Sequence, residues 1–176
     1  MMPGPAIRMT ARAQANMRSA ANGGRIVFSA GVGAAMSSLR ITTDRTELDV
    51  SMVYRYLSEQ STWAVGIPRA VVDRAIENSL CFGGFVDDRQ VAFARVVTDY
   101  ATFGNLDDMF VLPEFRRRGY RKELLKAVLG HPSLQGLRRL TVATNDAHGL
   151  YAQFGFTPPQ HPESLMERYF PNLYVS

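Results

Sequence analysis

Apolar positions along this chain keep two rhythms. Between Glu47 and Glu59, Leu48, Val50, Met52, Val53, Tyr56 and Leu57 recur at helical spacing, and "WAVGIP" ends the run with Gly66 and Pro68. A second helical stripe, Val71, Val72, Ala75 and Ile76, predicts a helix over 69–78. The rhythm then shortens. "CFGGFVD" and "QVAFARVVTD" flank Asp87-Asp88-Arg89, which reads as a β-hairpin. "NLDDMFVL" is a further strand, ended by Pro113. Helical spacing returns over 119–129, with Leu124, Leu125, Val128 and Leu129 on one side, until Gly130 and Pro132. "RRLTVAT" predicts a strand, "AHGLYAQF" a short helix closed by Gly155, and 165–169 a last strand or short segment. With a short strand at Leu39–Thr42, the order is β-α-α-β-β-β-α-β-α-β. A hairpin followed by a strand–helix–strand crossover implies an α/β domain whose mixed sheet carries one parallel pair and helices on both faces.

Residues 1–36 do not share these rhythms. They are rich in Ala, Gly, Ser, Met and Arg and hold no acid. They read as an unstructured or accessory tail ahead of one domain at 37–176. Its origin stays open between a transit-type presequence, an expression remnant and an early start, since Met36 opens more ordinary sequence. Gly31 and Gly33 follow a strand-like run, but a dinucleotide fingerprint needs a third glycine and a βαβ unit on schedule, and neither follows.

Charge changes the picture once the tail is set apart. The net +4 of the whole chain comes from five arginines in residues 1–43. Residues 44–176 carry 15 basic and 16 acidic residues, a net of −1. A nucleic-acid binder concentrates basic charge on its folded domain, and this one is nearly neutral. No apolar run approaches the ~18–20 residues of a membrane span. The single cysteine, Cys81, rules out a disulfide framework or a thiolate zinc site within one chain, and no metal is expected. A reducing, cytoplasmic setting follows, or an organellar one if the tail is a transit peptide.

One cluster breaks the neutrality: "FRRRGYRKEL", at 115–124. It lies between a strand and an amphipathic helix. A helix N-terminus leaves backbone N–H groups unpaired and carries partial positive charge, so a phosphate binds there readily. Gly119 allows the turn and close approach, and arginines add charge-assisted bonds. The basic residues gather at the helix start and not along an exposed face, which favours a phosphate cradle over a DNA-reading helix.

The run strand, Pro, Glu, aromatic, Arg-x-x-Gly, helix resembles the acetyl-CoA signature of GNAT N-acetyltransferases. About 30 residues on, "LTVATNDAHGLYAQFGF" resembles the second half of the GNAT core. The resemblance spans roughly 39–160. It implies a single GNAT-like domain with a mostly antiparallel sheet, a splayed parallel strand pair and acetyl-CoA as cosubstrate. By that likeness the pyrophosphate sits on the amides of Arg116, Arg117, Arg118, Gly119, Tyr120 and Arg121. The pantetheine arm pairs with the strand ending at Phe110, Val111 and Leu112, which splays from Leu140–Thr144. Tyr151 matches the family's general acid, and Asn145 stands one place off the family's asparagine. Arg121 replaces the last small residue of the signature, so a side chain stands where backbone ordinarily nears phosphate.

Acetyl transfer to an amine needs a proton acceptor and a proton for the leaving thiolate. A tyrosine of pKa ~10 is protonated at neutral pH and can supply the second. Asp108 is the candidate base. It alternates with Asp107 on the strand, so one of them is expected on each side of the sheet; Asp99 and His148 are further candidates. Cys81 opens an apolar strand and reads as a buried structural thiol. Trp63, Tyr54 and Tyr100 are candidates for lining the acceptor pocket. The expected function is N-acetylation of a primary amine of a small molecule or peptide by direct attack in a ternary complex. The alternative is a non-catalytic acyl-CoA-binding regulatory module. No nucleic-acid or membrane partner is expected, and monomer and homodimer stay open.

Overall fold

A computed structural model describes residues 38–170 and 173–174; the readings on 1–36 lie outside them. Five strands form one sheet in the order β1-β2-β3-β4-β5. They are β1 Arg40–Thr42, β2 Leu80–Val86, β3 Arg89–Thr98, β4 Phe103–Val111 and β5 Arg139–Val142. Neighbours run antiparallel except β4 and β5, which are parallel. The β2–β3 turn is the predicted hairpin, with Asp87 left-handed at φ 53°.

Helices cover both faces. On one, α3 (Tyr120–Leu129) buries Leu124, Leu125 and Val128 against Phe82, Val91, Ala94, Val96 and Leu106. The short α4 (His148–Ala152) adds Tyr151 to that core. On the other face, α1 (Val50–Arg55) and α2 (Arg69–Glu77) bury Met52, Val53, Val72 and Ile76 against Cys81, Phe93 and Phe110. Asp49 caps α1 by accepting the Met52 N–H at 2.9 Å. The helix expected over 47–59 is divided: a 3₁₀ turn at Arg45–Glu47, then α1, then a π-helical turn at Tyr56–Gln60. That wide turn buries Tyr56 and Leu57 and stacks Tyr56 on Phe110 of β4, ring centroids 3.7 Å apart.

Two departures matter. Residues 165–169 form no strand: Pro162–Ser164 is a 3₁₀ turn, and irregular backbone follows with Leu165, Met166, Tyr169 and Phe170 exposed. Prolines at 158, 159, 162 and 171 crowd this stretch, and a proline lacks the N–H a ladder needs. The second departure is in β4. Arg95 pairs with Asp107 and Phe93 with Phe110, so β4 holds one residue more than β3 between those pairs. This β-bulge sets Asp108 at φ 48°, where Asp is among the few non-glycine residues found with any frequency.

Candidate active site

β5 pairs with β4 only from Phe103↔Arg139 to Leu106↔Val142. From Asp107 to Val111, β4 has a strand partner on the β3 side alone. A strand edge without a strand partner is therefore open between β4 and the end of β5, where an extended ligand can pair, although the Asp108 N–H already donates to Asp107 Oδ1 and the Val111 carbonyl accepts from Arg116. The side chains of Phe110, Val111 and Leu112 are buried, so these residues can present only backbone to it.

β4 leads through the 3₁₀ turn Pro113–Phe115 into the basic loop. Arg117 (φ 63°) and Gly119 (φ 84°) both take left-handed backbone angles, the geometry in which successive N–H groups converge on an anion. The N–H groups of Arg117, Arg118, Gly119 and Arg121 have no hydrogen-bond partner among the described residues. Those of Lys122 and Glu123 already bond to the Gly119 carbonyl. A Cβ built on Gly119 meets nothing within 4 Å, so the space above the turn is open.

The structure narrows the predicted cradle of Arg116–Arg121. The Arg116 N–H is committed to the Pro113 carbonyl at 3.2 Å. Its guanidinium turns back to the Val111 carbonyl (3.2 Å) and the Tyr56 hydroxyl (3.1 Å), tying β4 to the π-helical turn. Arg118 lies over the Phe115 ring at 5.1 Å, and Tyr120 is buried in the core under α3. Of the side chains, Arg117 and Arg121 are those that remain for an anion.

Tyr151 is 7% exposed, and its hydroxyl donates to the Met109 sulfur at 3.6 Å. The phenol thus ends one residue past the bulge. Burial raises its pKa, with Arg121 drawing it down and Asp146 pushing it up. Its proton is held at neutral pH. Asn145 is exposed on the turn after β5, and the Ala147 N–H ahead of α4 goes to the Thr144 hydroxyl.

The carboxylates contradict simple alternation. Arg95 donates from Nε to Asp108 (2.6 Å) and from Nη2 to Asp107 (2.7 Å), so both acids share the α1–α2 face. The bulge is the cause: the extra residue rotates Asp108 back onto the side that Asp107 already occupies. Trp63, 51% exposed in the α1–α2 loop, donates its indole N–H to Asp108 at 2.9 Å. Both Asp108 oxygens are therefore engaged, and its side chain is only 9% exposed. Asp107 is more open, at 40% of its side chain. Burial and the Asp108 charge raise its pKa against the pull of Arg95.

Other candidates fall away from this centre. Asp99 accepts from the backbone N–H groups of Ala101, Thr102 and Phe103 and from the Thr102 hydroxyl, which hold its pKa far down and make it a staple of the β3–β4 turn. Tyr100 sits in that same turn, at the opposite end of β4 from the open edge. Tyr54 is half-buried under the Arg69 guanidinium, on α1. His148 is exposed at the start of α4. Cys81 is buried, with burial pushing its thiol up to about 11. A cavity of about 730 Å³ between Glu47–Asp49 and the β2–β3 turn touches the basic loop only at Phe115 and includes none of residues 107–111.

Arg95 and Met109 were not candidates from sequence. Arg95 had left a sign: a lone charge in the apolar strand "QVAFARVV" must find buried partners. Met109 left none.

Comparisons with known proteins agree with this geometry. A candidate acetyltransferase of Gibberella zeae is 28% identical, over 64% of this chain and 75% of its own length. The crystal structure of a candidate GNAT-family acetyltransferase from Xanthomonas campestris pv. campestris is 60% identical, with a TM-score of 0.78, over 81% of this chain and all of that one. A predicted acetyltransferase of Clostridium acetobutylicum, solved with acetyl-CoA, shares the fold at 16% identity and a TM-score of 0.56, over 76% of this chain and 96% of that one. The family model for acetyltransferases (GNAT) matches residues 50–156, well over half of the sequence. By that match this chain belongs to the GNAT family of acetyltransferases.

Proposed function

We propose that this acyltransferase moves the acetyl group of acetyl-CoA to a primary amine of a small molecule or peptide, by direct attack within a ternary complex. The observation that carries the reading is the open β4 edge, which runs from the bulge at Asp108 to a loop with unpaired N–H groups. The chain's residues fit the cosubstrate: the N–H groups of Arg117, Arg118, Gly119 and Arg121 and the Arg117 and Arg121 side chains would hold its phosphates, and the backbone of Asp107–Val111 its extended arm. The Clostridium acetobutylicum relative, solved with acetyl-CoA, supports that cosubstrate.

Acetyl-CoA supplies an acetyl group activated as a thioester. The chain supplies the protons' destinations. Asp107 accepts a proton from the incoming ammonium. Its raised pKa makes it a stronger base than an ordinary carboxylate; its Oδ1 accepts the Asp108 N–H and its Oδ2 accepts from Arg95, but at 40% exposure the side chain can still be reached by an amine. This moves the role from Asp108, whose side chain is only 9% exposed between Arg95 and Trp63. Tyr151 keeps its proton at neutral pH and gives it to a thiolate whose parent thiol has a pKa of about 8.5. The two groups approach from opposite faces of the sheet, Asp107 from the α1–α2 side and Tyr151 from the α3–α4 side. Direct attack fits the chemistry of Cys81, the single cysteine of the sequence, whose buried, high-pKa thiol is a poor acyl carrier. A reducing, cytoplasmic setting fits that free thiol too.

The test is thiol release from acetyl-CoA over a panel of amines, beside the shift in melting temperature that acetyl-CoA produces. Turnover with Tyr151→Phe should fall by about 10²-fold, with acetyl-CoA affinity unchanged. Cofactor binding without turnover on any amine would favour the regulatory-module alternative. No thermal shift at saturating acetyl-CoA would overturn both.

A further inference from the structure

The acceptor side of the open edge carries an uneven ion pair. One guanidinium, Arg95, faces two consecutive carboxylates, Asp107 and Asp108. Its third contact is neutral, Nη1 to the Ser79 hydroxyl at 3.3 Å. Arg45 reaches the Ser79 backbone carbonyl at 2.9 Å and, among the described residues, makes no ion pair with Asp107 or Asp108. Trp63 closes the cluster with a neutral indole. The charges therefore sum to one surplus negative, and its more exposed end is Asp107, the first residue of β4 past the last β5 pair.

We infer that Arg95 and Asp107 together set acceptor specificity: the charge that Arg95 leaves unneutralised admits amines and rejects those with a carboxylate beside the reacting nitrogen. The inference rests on the proposed acetyl transfer and names its substrate class. A protonated amine docks against Asp107 as a cation and loses its proton there. An α-carboxylate would be carried to within a few bonds of the same site and be repelled, in a setting where partial burial weakens screening. Free α-amino acids are thus poor acceptors. Decarboxylated amines, amino amides and the N-terminal residues of peptides are good ones. Arg95 is a positioning residue here: it holds both carboxylates on one face of the bulge and fixes how much charge remains.

The experiment uses tyramine, tyrosinamide and tyrosine with the full chain and acetyl-CoA. Tyrosinamide keeps the bulk of tyrosine without its charge. The expected result is kcat/KM for tyramine and tyrosinamide at least tenfold above tyrosine, with the difference mainly in KM. Binding of the three amines to the protein–CoA complex is measured by calorimetry, for the wild type and for Asp107→Asn. That variant keeps the shape and removes the surplus charge, so the binding preference should fall to within about threefold. Arg95→Gln should widen it if the variant folds; Asp107→Asn decides the matter regardless. Tyrosine turned over or bound as well as tyrosinamide overturns the inference. So does a preference unchanged in Asp107→Asn, or no binding by any of the three. If acetyl-CoA still raises the melting temperature in those cases, acetyl transfer survives and only the substrate class is lost. If acetyl-CoA gives no shift, both fall together.

Discussion

Replacing Arg95 by methionine keeps most of the side chain's volume and removes its charge. The cost follows from what it leaves behind. Breaking a fully buried pair by removing one partner costs about 3–5 kcal/mol, and an exposed pair contributes about 0–1 kcal/mol. The Arg95 side chain is 14% exposed and that of Asp108 9%, so this arm lies near the buried limit. The Asp107 side chain is 40% exposed, so its arm contributes less than that of Asp108. About 3 kcal/mol at neutral pH is the expected loss, a fall in melting temperature of roughly 10 °C for a domain of this size. The pH dependence is a sharper check. Asp107 binds its proton more tightly in the folded state than in the unfolded one, so its contribution to stability is full at low pH and is lost as pH rises through its folded-state pKa. Without Arg95 that pKa rises further, and the penalty should shrink as the medium is acidified and one carboxylate takes up a proton. Thermal melts of both proteins at pH 7.5 and pH 5.0 read this directly. Arg95→Met with Asp107→Asn should recover part of the loss, because the like charges no longer face each other. A loss under about 1 kcal/mol at pH 7.5, or an equal loss at both pH values, would refute this account of the network.

Gly119→Ala introduces no clash, since nothing lies within 4 Å, but it forces alanine to φ 84°; a loss of about 1–2 kcal/mol in stability and weaker acetyl-CoA binding by calorimetry should follow. Cys81 should stay unmodified by an aromatic disulfide reagent at pH 8 in the native protein and react at once on denaturation, because its thiol is buried and pushed up to about 11. Gly66→Ala should displace Tyr174, since the added Cβ would stand 2.6 Å from the Tyr174 carbonyl oxygen on a backbone at φ 77°; faster exchange of the residue-66 amide, which donates to the Ser58 carbonyl at 2.9 Å, is the readout.

Helix α2, the β2–β3 hairpin, β4 and α3 were legible because their apolar spacing is regular and glycine or proline marks their ends. The basic loop was legible for a related reason: its composition contrasts with a neutral domain. The bulge was not. Alternation places Asp107 and Asp108 on opposite faces, and only the pairing register of β3 and β4 shows the extra residue. The same omission hid Arg95, whose partners lie 12 and 13 residues away across the hairpin. Tyr100 and Trp63 were both candidates for the acceptor pocket, yet the two occupy different ends of β4, which sequence distance does not encode. Of the last strand or short segment expected at 165–169, no strand forms, because prolines surround it.

Asp108 sits at φ 48°, and that angle limits what variation can supply there. Aspartate, asparagine and glycine tolerate it; glutamate, lysine or a β-branched residue would add backbone strain before any question of chemistry arose. Substitution at this position is therefore limited by backbone before chemistry. Asp107, one residue earlier on regular strand backbone, carries no such restriction. Libraries aimed at new acceptors belong at Trp63, with Asp107 kept as the base and 108 left alone as the hinge on which the strand's two faces exchange.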